Sequence, residues 1–163
     1  MNNVIENKTF DEIQLGDRAS LTQAPPQNSV ETQASLTGNF NSIDFNRGPK
    51  HSALFGQGGG QAGWSATLFA TLAGTQLPGL GSVAKRIEVR LHLPVAIDMP
   101  VTATGVVREK KLKTGIVVLE CEAVDQQGNV IASGKVNVLA PKEKIRFSAK
   151  DLVGRYEQAL CAL

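Results

Sequence analysis

Residues 62–73 read Ala62-Gly63-Trp64-Ser65-Ala66-Thr67-Leu68-Phe69-Ala70-Thr71-Leu72-Ala73, dominated by small and apolar residues, without proline or charge. A run of this kind predicts a helix buried on most sides. Beyond the turn at Leu77-Pro78-Gly79 the apolar period changes from helical to two. In residues 86–93, Ile87, Val89, Leu91 and Leu93 alternate with Arg86, Glu88, Arg90 and His92, which predicts a strand with one wet face. Two further strands are expected at Val101–Lys111 and at residues 115–124, around a turn at Lys113-Thr114-Gly115. Residues 126–129 then reverse the chain into a last strand, Val130–Leu139, which Pro141 ends. Short connections between consecutive strands imply an antiparallel meander, not βαβ units. One buried helix followed by a sheet long enough to wrap it suggests an α+β architecture, the hotdog fold. In that fold the sheet curls around a central helix, and two units often pair through their sheets.

The flanks are less regular. Residues 1–48 are polar, with turn signals at Gly16-Asp17 and Pro25-Pro26; Asn28 with Glu31 fits a capping box for a short helix. At the other end Ser148 and Asp151 repeat a capping pattern, and Leu152, Tyr156 and Leu160 share one helical face. The expected organisation is therefore one domain over residues 1–141 and a helical tail over 142–163.

Composition excludes more than it proposes. The chain has 163 residues, 17 Lys and Arg against 15 Asp and Glu, and a formal charge of +2, so no electrostatic case exists for nucleic acid or an anionic membrane. A chain this long buries enough surface to fold without metal or disulfide staples. The first residues lack a basic n-region and apolar h-region, and no apolar run approaches the roughly 20 residues of a membrane span. Cys121 and Cys161 stand far apart without a ligand companion and read as buried or inert thiols. These features together predict a cytoplasmic protein.

Several motifs fall to the plainer reading. Gly58-Gly59-Gly60-Gln61-Ala62-Gly63 formally matches a dinucleotide fingerprint, but Ser52-Ala53-Leu54-Phe55 is a poor strand and no acidic residue lies between Asp44 and Glu88. What survives is a glycine-rich approach to a helix N-terminus, where backbone N–H groups face an anion or a carbonyl oxygen. His92 falls on the wet face of a strand and His51 in the loop-like run Lys50-His51-Ser52; neither has a partner at metal spacing, so no metal site is expected. Arg108, Lys110, Lys111 and Lys113 read as a solvated hairpin tip rather than a cradle for nucleotide phosphates.

The segment Leu36-Thr37-Gly38-Asn39-Phe40-Asn41-Ser42-Ile43-Asp44 resembles the signature Ser-Gly-Asp-x-Asn-Pro-x-His of MaoC-like dehydratases, the (R)-specific enoyl-CoA hydratase family. The resemblance continues at Phe55, at Gln61-Ala62-Gly63-Trp64 where the family has His-Gly-Met, and at Leu72-Ala73-Gly74-Thr75-Gln76-Leu77-Pro78-Gly79. Thr9-Phe10-Asp11-Glu12-Ile13-Gln14-Leu15-Gly16-Asp17 and Val138-Leu139-Ala140-Pro141 also fit, so the likeness covers most of residues 8–141. Together with Glu143-Lys144-Ile145, the chain looks most like the hydratase-like N-terminal domain of bifunctional enoyl-CoA hydratase/phosphate acetyltransferases, as a stand-alone relative or a fragment.

The resemblance implies an acyl-CoA or other acyl thioester as ligand, no further cofactor, and a place in fatty acid metabolism. The family activates water and protonates the α-carbon with its Asp and His, and holds the enolate oxygen with backbone N–H at the central helix start. Here those two positions carry Asn39 and Asp44. An amide orients a water but cannot take its proton, and losing a positioned acid or base typically costs roughly 10²–10⁴-fold. Asn41 is retained, and Gln61, Ala62, Gly63 and Trp64 mark the helix mouth where a ligand meets the protein. The expectation is an acyl-thioester-binding hotdog protein with lost or altered hydratase activity. The alternatives are an active hydratase using Asp44 as base, with His51 in support, or a non-catalytic subunit. Its expected partners are a second copy or an intact hydratase relative. A hotdog thioesterase lacks support, because no acidic residue lies between Gln61 and Gln76.

Overall fold

The computed structural model describes residues 4–26, 35, 38, 64–95 and 98–148. Its elements in chain order are β1 (Val4–Glu6), β2 (Arg18–Gln23), α1 (Trp64–Thr75), β3 (Val83–Leu91), β4 (Val101–Lys111), β5 (Ile116–Asp125), β6 (Val130–Leu139) and β7 (Arg146–Ser148). Five strands make one antiparallel sheet in the order β2-β4-β5-β6-β3, and β1 pairs with β7 in a separate ribbon. Helix α1 packs on one face of the five-stranded sheet, the hotdog arrangement expected from the sequence.

Alternation builds the interface between helix and sheet. Val101, Ala103 and Val107 of β4, Val117, Leu119, Cys121 and Ala123 of β5, and Ala132, Val136 and Val138 of β6 are all buried. They meet Leu68, Phe69, Leu72 and Ala73 of α1. Each large side chain removed from water here stabilises the fold by about 1.5–3 kcal/mol. The opposite side of α1 is not buried as the composition suggested. Thr67 and Thr75 are exposed and Thr71 half-buried, and their hydroxyls donate back to the carbonyls of Trp64, Thr71 and Thr67 at 2.7, 2.7 and 2.8 Å. Threonines that satisfy themselves this way leave a helix side uncharged yet accessible, which composition alone reads as buried.

Two readings of the sheet are corrected. The four predicted strands do not form one meander: β4, β5 and β6 do, but β3 crosses to the far edge and pairs with β6, Arg90 opposite Ser133 and Leu91 opposite Ala132. The chain after β3 makes this turn possible, since the N–H groups of His92 and Leu93 both donate to Ile131 O and Val95 is buried. Nor does β3 have one wet face. As an edge strand it is exposed on both, with Ile87 at 41% and Leu91 at 46%. At the opposite edge stands β2, unforeseen in the polar first residues; only Ala19 and Leu21 turn toward the core, too little apolar amplitude to be seen in sequence.

The end of α1 is fastened firmly. Leu77 N–H and Gly79 N–H donate to Leu72 O and Ala73 O, with Gly79 at φ 87°, and Ser82 Oγ donates to Ala73 O at 3.1 Å. The buried Asn7 then joins three segments: its Nδ2 donates to Leu80 O at 2.9 Å and Glu143 O at 3.0 Å, and its Oδ1 accepts from Ile145 N–H at 2.9 Å. Ser148, read as a helix cap, closes β7 opposite Val4. The rest of the tail and the capping box at Asn28 and Glu31 lie outside the described residues.

Candidate ligand-binding site

Helix α1 spans Trp64–Thr75, and no acidic side chain stands in the first turn of that span. Trp64 itself is half-buried and packs against the core. The helix's other end is tied to one end of the sheet: Gly81 packs against Pro141 and Ile145, and Ala140 N–H donates to Gly115 O at 3.1 Å. Twelve helical residues span about 16–18 Å. The helix start is therefore well separated from the Gly115 turn.

This separation settles the basic run. Lys110, Lys111 and Lys113 adjoin the Gly115 turn, at the fastened end of α1. Lys110 Nζ donates to Ile13 O and lies over the Phe10 ring at 4.6 Å, while Arg108 Nε pairs with Glu120 at 2.7 Å. Arg108 and Lys110 are thus spent on the hairpin and its neighbours.

Of the residues singled out from the sequence, Trp64 is placed as described. Asn39, Asn41, Asp44, Gln61, Ala62 and Gly63 lie outside the described residues, as does His51. The described ends of the connection that carries them are Pro26, after β2, and Trp64. Beside the first, Pro25 O accepts from Asp98 N–H at 2.9 Å, joining the exit of β2 to the approach to β4.

Other reactive groups are accounted for. Cys121 is buried under α1, and burial, helped by the nearby charge of Glu120, pushes its thiol up to about 12. That is the inert thiol expected. His92 is exposed, its Nε2 2.8 Å from Ser133 Oγ. Among the described residues no group of three or more His, Cys, Asp or Glu is placed to hold a metal ion, and no helix is long and apolar enough to cross a membrane.

One feature had no sequence signal. On the sheet face away from α1 an open cleft of about 650 Å³ lies among Arg18, Arg90, Arg108, Glu122, Ser133 and Lys135. Each reads in sequence as an ordinary wet position; only the pairing of β3 with β6 brings Arg90 beside Ser133.

The five-stranded sheet and the helix packed on it define a hotdog protein. Comparison with known proteins agrees. The chain is 28% identical over 136 residues to the (R)-specific enoyl-CoA hydratase of Rhodospirillum rubrum, covering 81% of this chain and 91% of that one. Among solved structures, the unliganded R-hydratase of Pseudomonas aeruginosa matches with a TM-score of 0.82 at 20% identity, over 90% of this chain and 94% of that one. The (R)-hydratase of A. caviae involved in PHA biosynthesis matches with a TM-score of 0.71 at 25% identity, over 79% and 98%. MaoC-like dehydratases and a chain of the ChsH1-ChsH2 complex of Mycobacterium tuberculosis share the fold. No family model matches the chain. Its relatives and structural neighbours include (R)-specific enoyl-CoA hydratases and MaoC-like dehydratases, as the motifs at residues 36–44 and 72–79 implied.

Proposed function

We propose that this chain binds acyl thioesters, acyl-CoA foremost, at the start of α1, and that its hydratase activity is lost or altered. The observation that carries the first part is the relationship to the R. rubrum hydratase over 136 residues, together with the shared fold. The second part rests on two residues. Hydration of a 2-enoyl thioester needs a base to take a proton from water and an acid to protonate the α-carbon, with donors for the enolate oxygen. Backbone N–H groups at a helix start suit the last task. Asn39 and Asp44, standing where the family has Asp and His, leave one carboxylate for two proton transfers. Asn39 orients water, Asn41 holds water or thioester, and Gln61, Ala62, Gly63 and Trp64 form the mouth. No resident cofactor or metal is required. The setting that fits is fatty acid metabolism in the cytoplasm.

Crotonyl-CoA hydration, followed by loss of enoyl absorbance, separates the readings when butyryl-CoA binding is measured calorimetrically alongside. The expected result is binding with hydration roughly 10²–10⁴-fold below a relative that keeps Asp and His. Asn39→Asp combined with Asp44→His should recover part of it. Full hydration abolished by Asp44→Ala would instead identify Asp44 as a working base. Absence of butyryl-CoA binding would end the proposal.

A further inference from the structure

The cleft on the sheet face away from α1 carries more positive charge than its own carboxylates take up. Ala132 and Val136 of β6 are buried under α1, so Ser133 and Lys135 face the cleft. Beside them in register stand Arg90 and Glu88 of β3 on one side, Glu122 and Glu120 of β5 on the other. Two of these carboxylates are already engaged, Glu88 by Arg86 at 2.6 Å and Glu120 by Arg108 at 2.7 Å. Among the described residues no ion pair takes up Arg90, Lys135 or Arg18, and Glu122 is the cleft carboxylate left over. His92 adds a positioned hydroxyl: its backbone N–H is bonded to Ile131 O, and its Nε2 lies 2.8 Å from Ser133 Oγ. With the ring proton on Nε2, His92 donates to that oxygen and the Ser133 O–H is free for a ligand oxygen.

We propose that this cleft binds a nucleoside phosphate, at a site separate from α1. The phosphate lies at Ser133, between the Arg90 guanidinium, which suits two phosphate oxygens at once, and the Lys135 ammonium. One strand further on, Glu122 stands opposite Ser133 and accepts from ribose hydroxyls. Beyond it, Val106 of β4 supplies an apolar floor, with Arg18 opposite on β2 and Arg108 two residues along. A base rests on that floor, where guanidinium planes stack on its faces. Phosphate, sugar and base thus follow the strand order β3 and β6, β5, then β4 and β2. From β3 to β4 is three strand spacings, about 14 Å. The cleft volume of about 650 Å³ suits a ligand of this size. Glu122 decides against a bare phosphate ion, which it would repel; a nucleotide turns the same carboxylate into a sugar contact. Leu119, Cys121 and Val136, buried between cleft and helix, keep the site apart from α1, so the inference does not depend on the acyl-thioester reading.

Calorimetric titration with ADP, inorganic phosphate and butyryl-CoA tests it. ADP should bind about tenfold more tightly than inorganic phosphate, and Arg90→Gln and Lys135→Gln should each weaken ADP by about tenfold. Glu122→Ala should weaken ADP while strengthening inorganic phosphate, an opposition that a merely basic surface does not produce. Lys113→Gln, at the hairpin tip, is the control for charge alone and should leave ADP binding unchanged. Butyryl-CoA should bind Arg90→Gln as it binds the wild type. Circular dichroism verifies folding of the variants. Wild-type protein that takes up no ADP at millimolar concentration overturns the proposal, and if it still binds butyryl-CoA the acyl-thioester reading is untouched. ADP affinity unchanged in Arg90→Gln, or reduced equally in Lys113→Gln, overturns the site. Weakened butyryl-CoA binding in Arg90→Gln would make the nucleotide end of CoA the occupant and overturn its separateness from the acyl-thioester site.

Discussion

Leu72 of α1 lies hard against Gly105 of β4: a Cβ on Gly105 would stand 2.7 Å from Leu72 Cδ2 and 3.5 Å from Cys121 Sγ. Leu72 is fully buried, so its methyl group has little room to yield. Gly105→Ala should therefore overpack the helix–sheet interface and cost about 1–3 kcal/mol. Urea unfolding checks this as a lower midpoint with unchanged slope, and Leu72→Val added to Gly105→Ala should return part of the loss.

Gly134 makes a harder constraint, because its neighbours are backbone. A Cβ there would collide with the Glu88 carbonyl and stand 3.1 Å from Val89 Cα. No side-chain rotation relieves this, so Gly134→Ala should cost more than Gly105→Ala, about 3 kcal/mol or above. Hydrogen exchange should show the β3–β6 ladder opening first, at Glu88 and Arg90.

These two glycines also mark how far the sequence could be read. Strands β4 and β6 announced themselves at their observed bounds because Val101, Ala103 and Val107, and Ala132, Val136 and Val138, alternate with polar or smaller residues against a single helix. The partner of β3 did not, since alternation tells which face is apolar and nothing about which strand lies alongside. Helix α1 was legible from its content but its accessible side was not, because Thr67, Thr71 and Thr75 hide their polarity in bonds to their own backbone. The site was legible only as residue types: Asn39 and Asp44 were found by likeness to a family motif, and no period or charge pattern marks them. The Asn7 junction was invisible, since its partners Leu80, Glu143 and Ile145 are remote in the chain.

That junction is the third target. Asn7 is 1% exposed and makes three hydrogen bonds to backbone groups. Asn7→Ala strands two carbonyls and one N–H in a closed space, and should cost about 3 kcal/mol. Asn7→Asp should fare little better, because a carboxylate accepts from Ile145 N–H but cannot donate to Leu80 O or Glu143 O. Thermal unfolding of both variants checks this; an Asp variant equal to wild type would show that Oδ1 alone secures the junction.

The last prediction concerns acid. Asp17 is held below its ordinary value of 3.8, first by the Gln14 N–H its carboxylate accepts at 2.9 Å; burial opposes this, and Lys8 Nζ at 2.9 Å adds to the lowering. Glu12 is lowered from 4.5, chiefly by Thr9 N–H and next by Lys144, and Asp125 from 3.8, chiefly by the Asn129 amide. A carboxyl depressed in the folded state contributes stability that is fully present above its unfolded pKa and is lost as pH falls through the folded one. Stability from these groups should thus be level through neutral pH and decline from about pH 4 downward. Asp17→Asn should flatten that decline and leave the neutral limb without slope. The Lys8 and Lys144 contributions lie at the surface and should fade in 1 M salt, whereas those from Gln14 N–H and Thr9 N–H should persist. Urea midpoints at pH 7, 4 and 3, with and without salt, measure both effects; a slope that vanished entirely in salt would assign the depression to the lysines instead of the backbone.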